Sequence, residues 1–293
     1  MIDALRWLIG NIFLGFYNIA WALFNPSAWL DWSDKQALGR VIYYGGSVEF
    51  FFAVVNIFLV IFIVGIWRRR VLWGVVIGLE TFSNMTGRLF AWAGLLMVLQ
   101  QVMIVFLQRV FRVSEVSVGP FGVALTRDLS WWAEELKLYN AMVVVLCCAY
   151  TFVQGGHVRV DLLYANLSHK ARRVIDMAGS MLFMMPSMVM IWLFGWFFLW
   201  RHLVTPRINA SEPAQRVIEQ KSRVLRWNVE TTGFSPNGFD AYFLFKVLLV
   251  AFAGMMFLQA WAFFFRSWLE YMEGPESAGK HLDRDVLEDT VEA

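Results

Sequence analysis

Met177–Trp200 is an unbroken run of 24 residues without a single charge. A run that long matches the ~20 apolar residues an α-helix needs to cross the hydrocarbon core of a bilayer. Leu89–Leu107 is likewise uncharged, and Val48–Trp67 carries only Glu49 at its edge. Val247–Phe265 is a fourth such run, and it extends back to Ala241 if the Lys246 side chain snorkels. The chain is 59% hydrophobic and 16% charged, where soluble domains are about a quarter charged. Water could not solvate the outside of such a fold, so lipid is the implied solvent. The fold class expected is an all-α integral membrane protein.

Two further segments need more argument. Trp131–Val153 opens with Glu134, Glu135 and Lys137, and its uncharged part is only Leu138–Val153. An interfacial first turn keeps those charges wet while the rest crosses. Ser130 is the expected N-cap, which sets both glutamates near the positive end of the helix dipole. Trp7–Phe24 is uncharged and long enough to span, but Gly10, Asn11, Gly15 and Asn18 also allow it to lie in the interface. Val71–Leu79 is too short to cross and is expected at the surface. The expected helices are therefore about 7–24, 48–67, 89–107, 131–153, 177–200 and 241–265.

Charge placement orients them. Arg68, Arg69 and Arg70 follow Val48–Trp67 directly, and Arg159, Lys170, Arg172 and Arg173 lie between the Trp131 and Met177 helices. Positive loops stay on the cytoplasmic side, and alternation makes both assignments consistent. Residues 201–240 are then periplasmic, and the C-terminus is cytoplasmic. That loop carries six Lys or Arg against four Asp or Glu, a mild exception that longer loops tolerate. Within it, Ser211–Pro213 followed by Val217, Ile218, Val224 and Leu225 reads as a capped surface helix. The tail from Glu270 holds eight acidic and two basic residues and is expected to be flexible and solvated.

Several chemistries find no support. The histidines are 157, 169, 202 and 281, none in the middle of a span, so paired haem ligands are not offered. There is no His-x-x-His, Cys-x-x-Cys, G-x-S-x-G or P-loop pattern. Cys147 and Cys148 are adjacent in an apolar helix and read as small fillers. No cofactor is implied. Gln100, Gln101 and Gln259 are read as amides that join helices rather than line a path. Pro186 is read as a kink. No cluster of mid-membrane carboxylates and no paired Gly-broken half-helices appear, the marks of a chain that carries substrate itself.

One string stands out. Gly155, Gly156, His157, Val158, Arg159, Val160 and Asp161 follow the Trp131 helix. Two glycines can end a helix through a left-handed turn. His157, Arg159 and Asp161 alternate with valines, so an extended stretch puts them on one face. They suit either an ion, proton or substrate site, or a polar clasp to the next helix and to headgroups.

With Leu129-Ser-Trp-Trp-Ala-Glu-Glu-Leu136 upstream, that string resembles the Trp-x-x-Glu-Glu…Gly-Gly-His signature of a known family. It is the small (Q-type, DctQ-like) membrane subunit of tripartite ATP-independent periplasmic (TRAP) transporters. Leu162–Tyr164, the basic stretch Lys170–Arg173, the helix with Pro186 and the closing Leu258-Gln259-Ala260 fit the same pattern. The resemblance spans about Leu89–Phe265 and implies a four-helix core over 89–265. Residues 1–88 are then an N-terminal extension with one or two extra helices, and 266–293 an acidic cytoplasmic tail. It implies a scaffold in the bacterial inner membrane for a large M-type subunit that carries the sodium and substrate sites. A periplasmic binding protein delivers the substrate, commonly an organic acid. Glu134, Glu135, Gly155, Gly156, His157, Arg159 and Asp161 are the motif residues carried over. Arg216, Lys221 and Arg223 are the candidate docking charges for the binding protein. Membrane lipids are the remaining partner, and nucleic acid is not one. The competing readings are the anchor or redox subunit of a quinone-linked enzyme complex, suggested by the aromatic richness, and an autonomous channel or transporter.

Overall fold

The computed structural model describes residues 2–118, 125–155, 167–204, 239 and 241–283. Among them the regular structure is helical apart from one two-stranded antiparallel sheet. Six helices are long and apolar enough to cross a membrane: Asp3–Phe24, Val48–Trp67, Arg69–Arg109, Leu129–Val153, His169–Val204 and Phe243–Glu273. The expected all-α membrane fold is the one observed. The chain divides into two compact units, the first of Met1–Gly78, Asp161–Phe197 and Ala260–Lys280, the second of Leu79–Val160, Phe198–Gln259 and His281–Ala293.

In the first unit α1 (Ile2–Phe24) packs against α4 (Val48–Trp67). The contact is close because Gly15 has no side chain: a Cβ there would meet Asn56 and the Phe52 backbone. Asn56 is fully buried, and its Nδ2 donates to the Ile12 carbonyl at 2.7 Å. Two short helices join α1 to α4, α2 (Ser27–Leu30) and α3 (Lys35–Tyr44). Asp34 caps α3 by accepting from the Gln36 and Ala37 amides, and Ser47 caps α4 by accepting from Phe50 N. Phe58 sits among Trp261, Phe264 and Phe265, with ring centroids 5.2, 5.5 and 4.9 Å away. Trp192 and Trp196 donate their indole N–H groups to the carbonyls of Gly45 and Ile42 at 2.8 and 2.9 Å. Gly45 is the residue that lets Trp196 in, since a Cβ would overlap the indole ring.

In the second unit, β1 (Glu115–Val118) pairs antiparallel with β2 (Leu125–Asp128), Glu115 opposite Asp128. The hairpin links α5 (Arg69–Arg109) to α6 (Leu129–Val153). The two helices meet at Gly87, where an added Cβ would lie about 2.2 Å from Tyr150 Cβ.

Four boundaries differ from expectation. Val71–Leu79 is not a separate surface piece but the start of the 41-residue α5, so the division at residue 88 falls inside a helix. Glu80 and Arg88 interrupt the apolar run without interrupting the helix. Glu80, Ser83, Asn84 and Gly87 recur at helical spacing on one face, and the first three are buried. The start of α6 is Leu129 with Asp128 at the N-cap, and no side chain caps it, so Ser130 is not the cap. The Met177–Trp200 run lies within α7 (His169–Gly179), a π-turn at Ser180–Met184 and α8 (Met185–Val204), which follow one another without a gap. Pro186 lacks an N–H and its ring crowds the carbonyl four residues back, at Leu182. The π-turn immediately before it widens the helix there, with Met185 N donating to Ser180 O. Finally, α9 (Phe243–Glu273) runs eight residues beyond Phe265. Glu270, expected at the start of the solvated tail, and Arg266, expected in the cytoplasmic tail, are buried.

Gly87 offers a controlled test. Replacing it with Ala overpacks the α5–α6 contact and costs about 1–3 kcal/mol. Gly10→Ala, where nothing lies within 4 Å of the new methyl, is neutral or stabilising by up to ~1 kcal/mol through helix propensity. Thermal unfolding in detergent should separate the two.

Candidate functional site

Successive residues on a helix point about 100° apart, and the acidic pair of α6 uses that divergence. Glu134 Oε2 accepts from Phe239 N at 2.9 Å and lies 3.5 Å from the Tyr242 hydroxyl. It thereby holds the chain just before α9 begins. Trp131 closes the same corner, 5.2 Å from the Phe239 ring, with the Arg127 guanidinium over its own ring at 5.6 Å. Glu135 turns to α5 instead: Gln100 Nε2 donates to its Oε2 at 3.1 Å and to the Trp132 carbonyl at 3.0 Å. The two motif glutamates thus hold different partners. Gln259 also joins helices, accepting from Ser83 Oγ at 3.0 Å with both groups buried. Gln101 does not share that role and is exposed.

A second cluster was invisible to residue spacing. Glu270 is 2% exposed. Arg173 Nη2 pairs with its Oε2 at 2.6 Å, and Arg266 Nη1 lies 3.6 Å from its Oε1. Gly279 N donates to Oε1 at 3.2 Å, and His169 Nε2 lies 3.1 Å from the Glu270 carbonyl. Arg173 also bonds Asp176 at 3.1 Å. Arg266 donates to the Lys280 carbonyl at 2.9 Å and stacks over Trp73, whose indole N–H donates to Glu273 at 3.0 Å. The start of α7, the end of α9 and the residues after it are therefore joined through one buried carboxylate. The only sequence signal was the basic stretch Lys170–Arg173, whose partner is almost a hundred residues away.

Gly155 sits where expected, after α6, at φ 76°. Gly156, His157, Arg159 and Asp161 lie outside the described residues, as do Arg216, Lys221 and Arg223. Among the described residues no group of three or more His, Cys, Asp or Glu side chains could hold a metal. Cys147 and Cys148 are free thiols, and Cys147 Sγ lies 3.4 Å from the Gly87 carbonyl.

Removing one member of a buried ionic cluster strands the others. Glu270→Ala should cost about 3–5 kcal/mol because Arg173 and Arg266 lose their shared partner. Adding Arg173→Ala to that variant should cost less than Arg173→Ala does alone. A double-mutant cycle on thermal unfolding measures the difference.

Comparison with curated proteins and with solved structures finds no match. One family model does match, described as the DctQ component of tripartite ATP-independent periplasmic transporters, over residues 102–211. The match starts within α5 and runs through α6, α7 and α8, so it takes in the Glu134–Glu135 pair and the Gly155–Asp161 string. It is narrower than the 89–265 expected. The residues before it, with α1 to α4, leave room for the N-terminal extension. Over residues 102–211, this multi-pass α-helical membrane protein is similar to the DctQ component of the tripartite ATP-independent periplasmic transporters.

Proposed function

We propose that this chain is the small subunit of a TRAP-type, sodium-coupled importer of organic acids, and that it acts as a static brace for the large M-type subunit. It has no catalytic role in this reading. The observation that carries it is how the buried and half-buried polar groups are used. Asn56 binds the α1 backbone, Gln259 binds Ser83, Gln100 joins α5 to α6, and Glu270 gathers two arginines. Each is engaged in holding one segment of this chain to another. A helix that slid during transport would have to break such bonds in a medium that offers no replacement.

The outer surface suits a brace. Phe13, Leu23, Phe24, Leu182, Phe183 and Phe194 are among many large apolar side chains exposed on the helices. Lipid and a second hydrophobic subunit are the solvents that fit them. The six candidate spans and the arginines at 68–70 support a bacterial inner-membrane protein with its C-terminus in the cytoplasm.

In that orientation Glu134 and Phe239 lie at the periplasmic end, where the 201–240 loop returns to the membrane. That loop, with Arg216, Lys221 and Arg223, is then part of the docking surface for the binding protein.

Co-expression with the adjacent large subunit and binding protein tests the assignment. The three should co-purify, and transport should be lost without this chain. Transport that persists in its absence, or uptake of an organic acid by vesicles holding this chain alone, refutes the brace. For the docking role, Glu134→Ala should weaken binding-protein affinity about tenfold by freeing Phe239, while Glu134→Gln, which keeps an acceptor oxygen, should not. Reversing the charges of Arg216, Lys221 and Arg223 should weaken docking most at low salt.

A further inference from the structure

The segment after α9 turns through three left-handed residues: Gly274 at φ 89°, Gly279 at 75° and His281 at 60°. Glycine takes that conformation freely, but histidine holds it only where surrounding contacts over-determine it. The contacts gather two residues later, at Asp283. Arg88 Nη1 donates to its Oδ2 at 2.9 Å and Nη2 to its Oδ1 at 3.1 Å. Asn84 Nδ2 donates to the Asp283 carbonyl at 2.9 Å and lies 3.3 Å from Oδ2. Gln154 Nε2 donates to the same carbonyl at 3.0 Å and to Asn84 Oδ1 at 3.2 Å.

We propose that Asn84, Arg88 and Gln154 form a receptor for an acidic peptide segment, filled in this chain by its own residue Asp283. The chemistry selects that ligand. A guanidinium fork matches a carboxylate through two parallel bonds. Two amide donors converge on a backbone carbonyl, so a peptide satisfies the site where a lone carboxylate would not. Asn84 and Arg88 are four residues apart on one face of α5, and Gln154 directly follows α6.

The ion pair alone would hold little, because both side chains are about half exposed, 42% and 54%. The buried amide decides the matter. Asn84 is fully buried, so withdrawal of the tail leaves its donor group facing an emptied site. Docking of the tail therefore ties the middle of α5 to the exit of α6, beside the turn at Gly155.

Trypsin reads the state of the tail in the intact chain, since Lys280 and Arg284 flank Asp283. Asn84→Ala, which removes the buried donor, should speed cleavage at these sites about tenfold; Asp283→Ala and Arg88→Gln, which leave the bonds to the Asp283 carbonyl in place, should each speed it about two- to threefold, and the Asp283→Ala/Arg88→Gln chain should be no faster than either single. Arg88→Lys keeps the charge without the fork, guards against a folding defect, and should fall between. A fluorescent peptide copying residues 279–287 should bind the Asp283→Ala chain, where the tail lacks its carboxylate and the peptide outcompetes it, but neither the wild type nor the Asp283→Ala/Arg88→Gln chain. Unchanged cleavage rates, additive effects, no peptide binding to the Asp283→Ala chain, or binding that ignores Arg88 would each overturn the receptor.

Discussion

Lipid gives two apolar helices no reason to associate, because a leucine is as well solvated by acyl chains as by another leucine. Everything that makes this chain a fold rather than a set of separate helices must come from elsewhere. Two sources are visible. One is close approach at small residues, where Gly15 admits α4 to α1, Gly45 admits Trp196 and Gly87 admits Tyr150. The other is the polar bond made where water is absent. Asn56, Ser83 with Gln259, Gln100 with Glu135, and Glu270 with its arginines each tie one segment to another. Apolar groups lie both outside and within the molecule, and polar ones gather at the joints.

The joints differ in kind. Amide and hydroxyl bonds such as Gln259 to Ser83 are neutral and sit within apolar helices, where a neutral group is the least costly polar one to bury. The charged groups of the Glu270 and Glu134 contacts lie near helix ends, whereas Glu80 and Arg88 lie inside α5. Glu270 and Arg266 lie in the last turns of α9, Arg173 in the first turns of α7, and Glu134 near the start of α6. The placement of the Glu270 and Glu134 contacts follows from the cost of charge in hydrocarbon. It also places these charged contacts where the chain enters or leaves a helix.

Much of this was legible in the residues. The long apolar runs gave the type of the long helices and most of their positions, because only a helix satisfies every backbone group inside a bilayer. The tryptophans and glutamates opening α6, with the Gly-Gly-His string after it, resembled the family's signature, and residues 102–211 match that family's model. What hydropathy could not see was continuity. Glu80 and Arg88 looked like the end of a segment in the linear pattern, yet they lie inside α5, because hydropathy averages over all faces of a helix and their partners occupy only one. The tail shows the same failure. Eight acidic residues from Glu270 onward read as a solvated end, but Glu270 is buried because Arg173, far away in sequence, comes to meet it.

Composition and the length of its apolar runs were enough for this sequence to determine a polytopic helical membrane protein, since those properties depend only on how a segment meets lipid. Which polar residue meets which is a different kind of fact. Glu134 finding the Phe239 amide, Glu135 finding Gln100, and Asp283 lying between Arg88, Asn84 and Gln154 all join positions tens to hundreds of residues apart. No local pattern encodes such pairings, because each depends on where two helices have already been brought by the packing around them. Only the tertiary structure decided them.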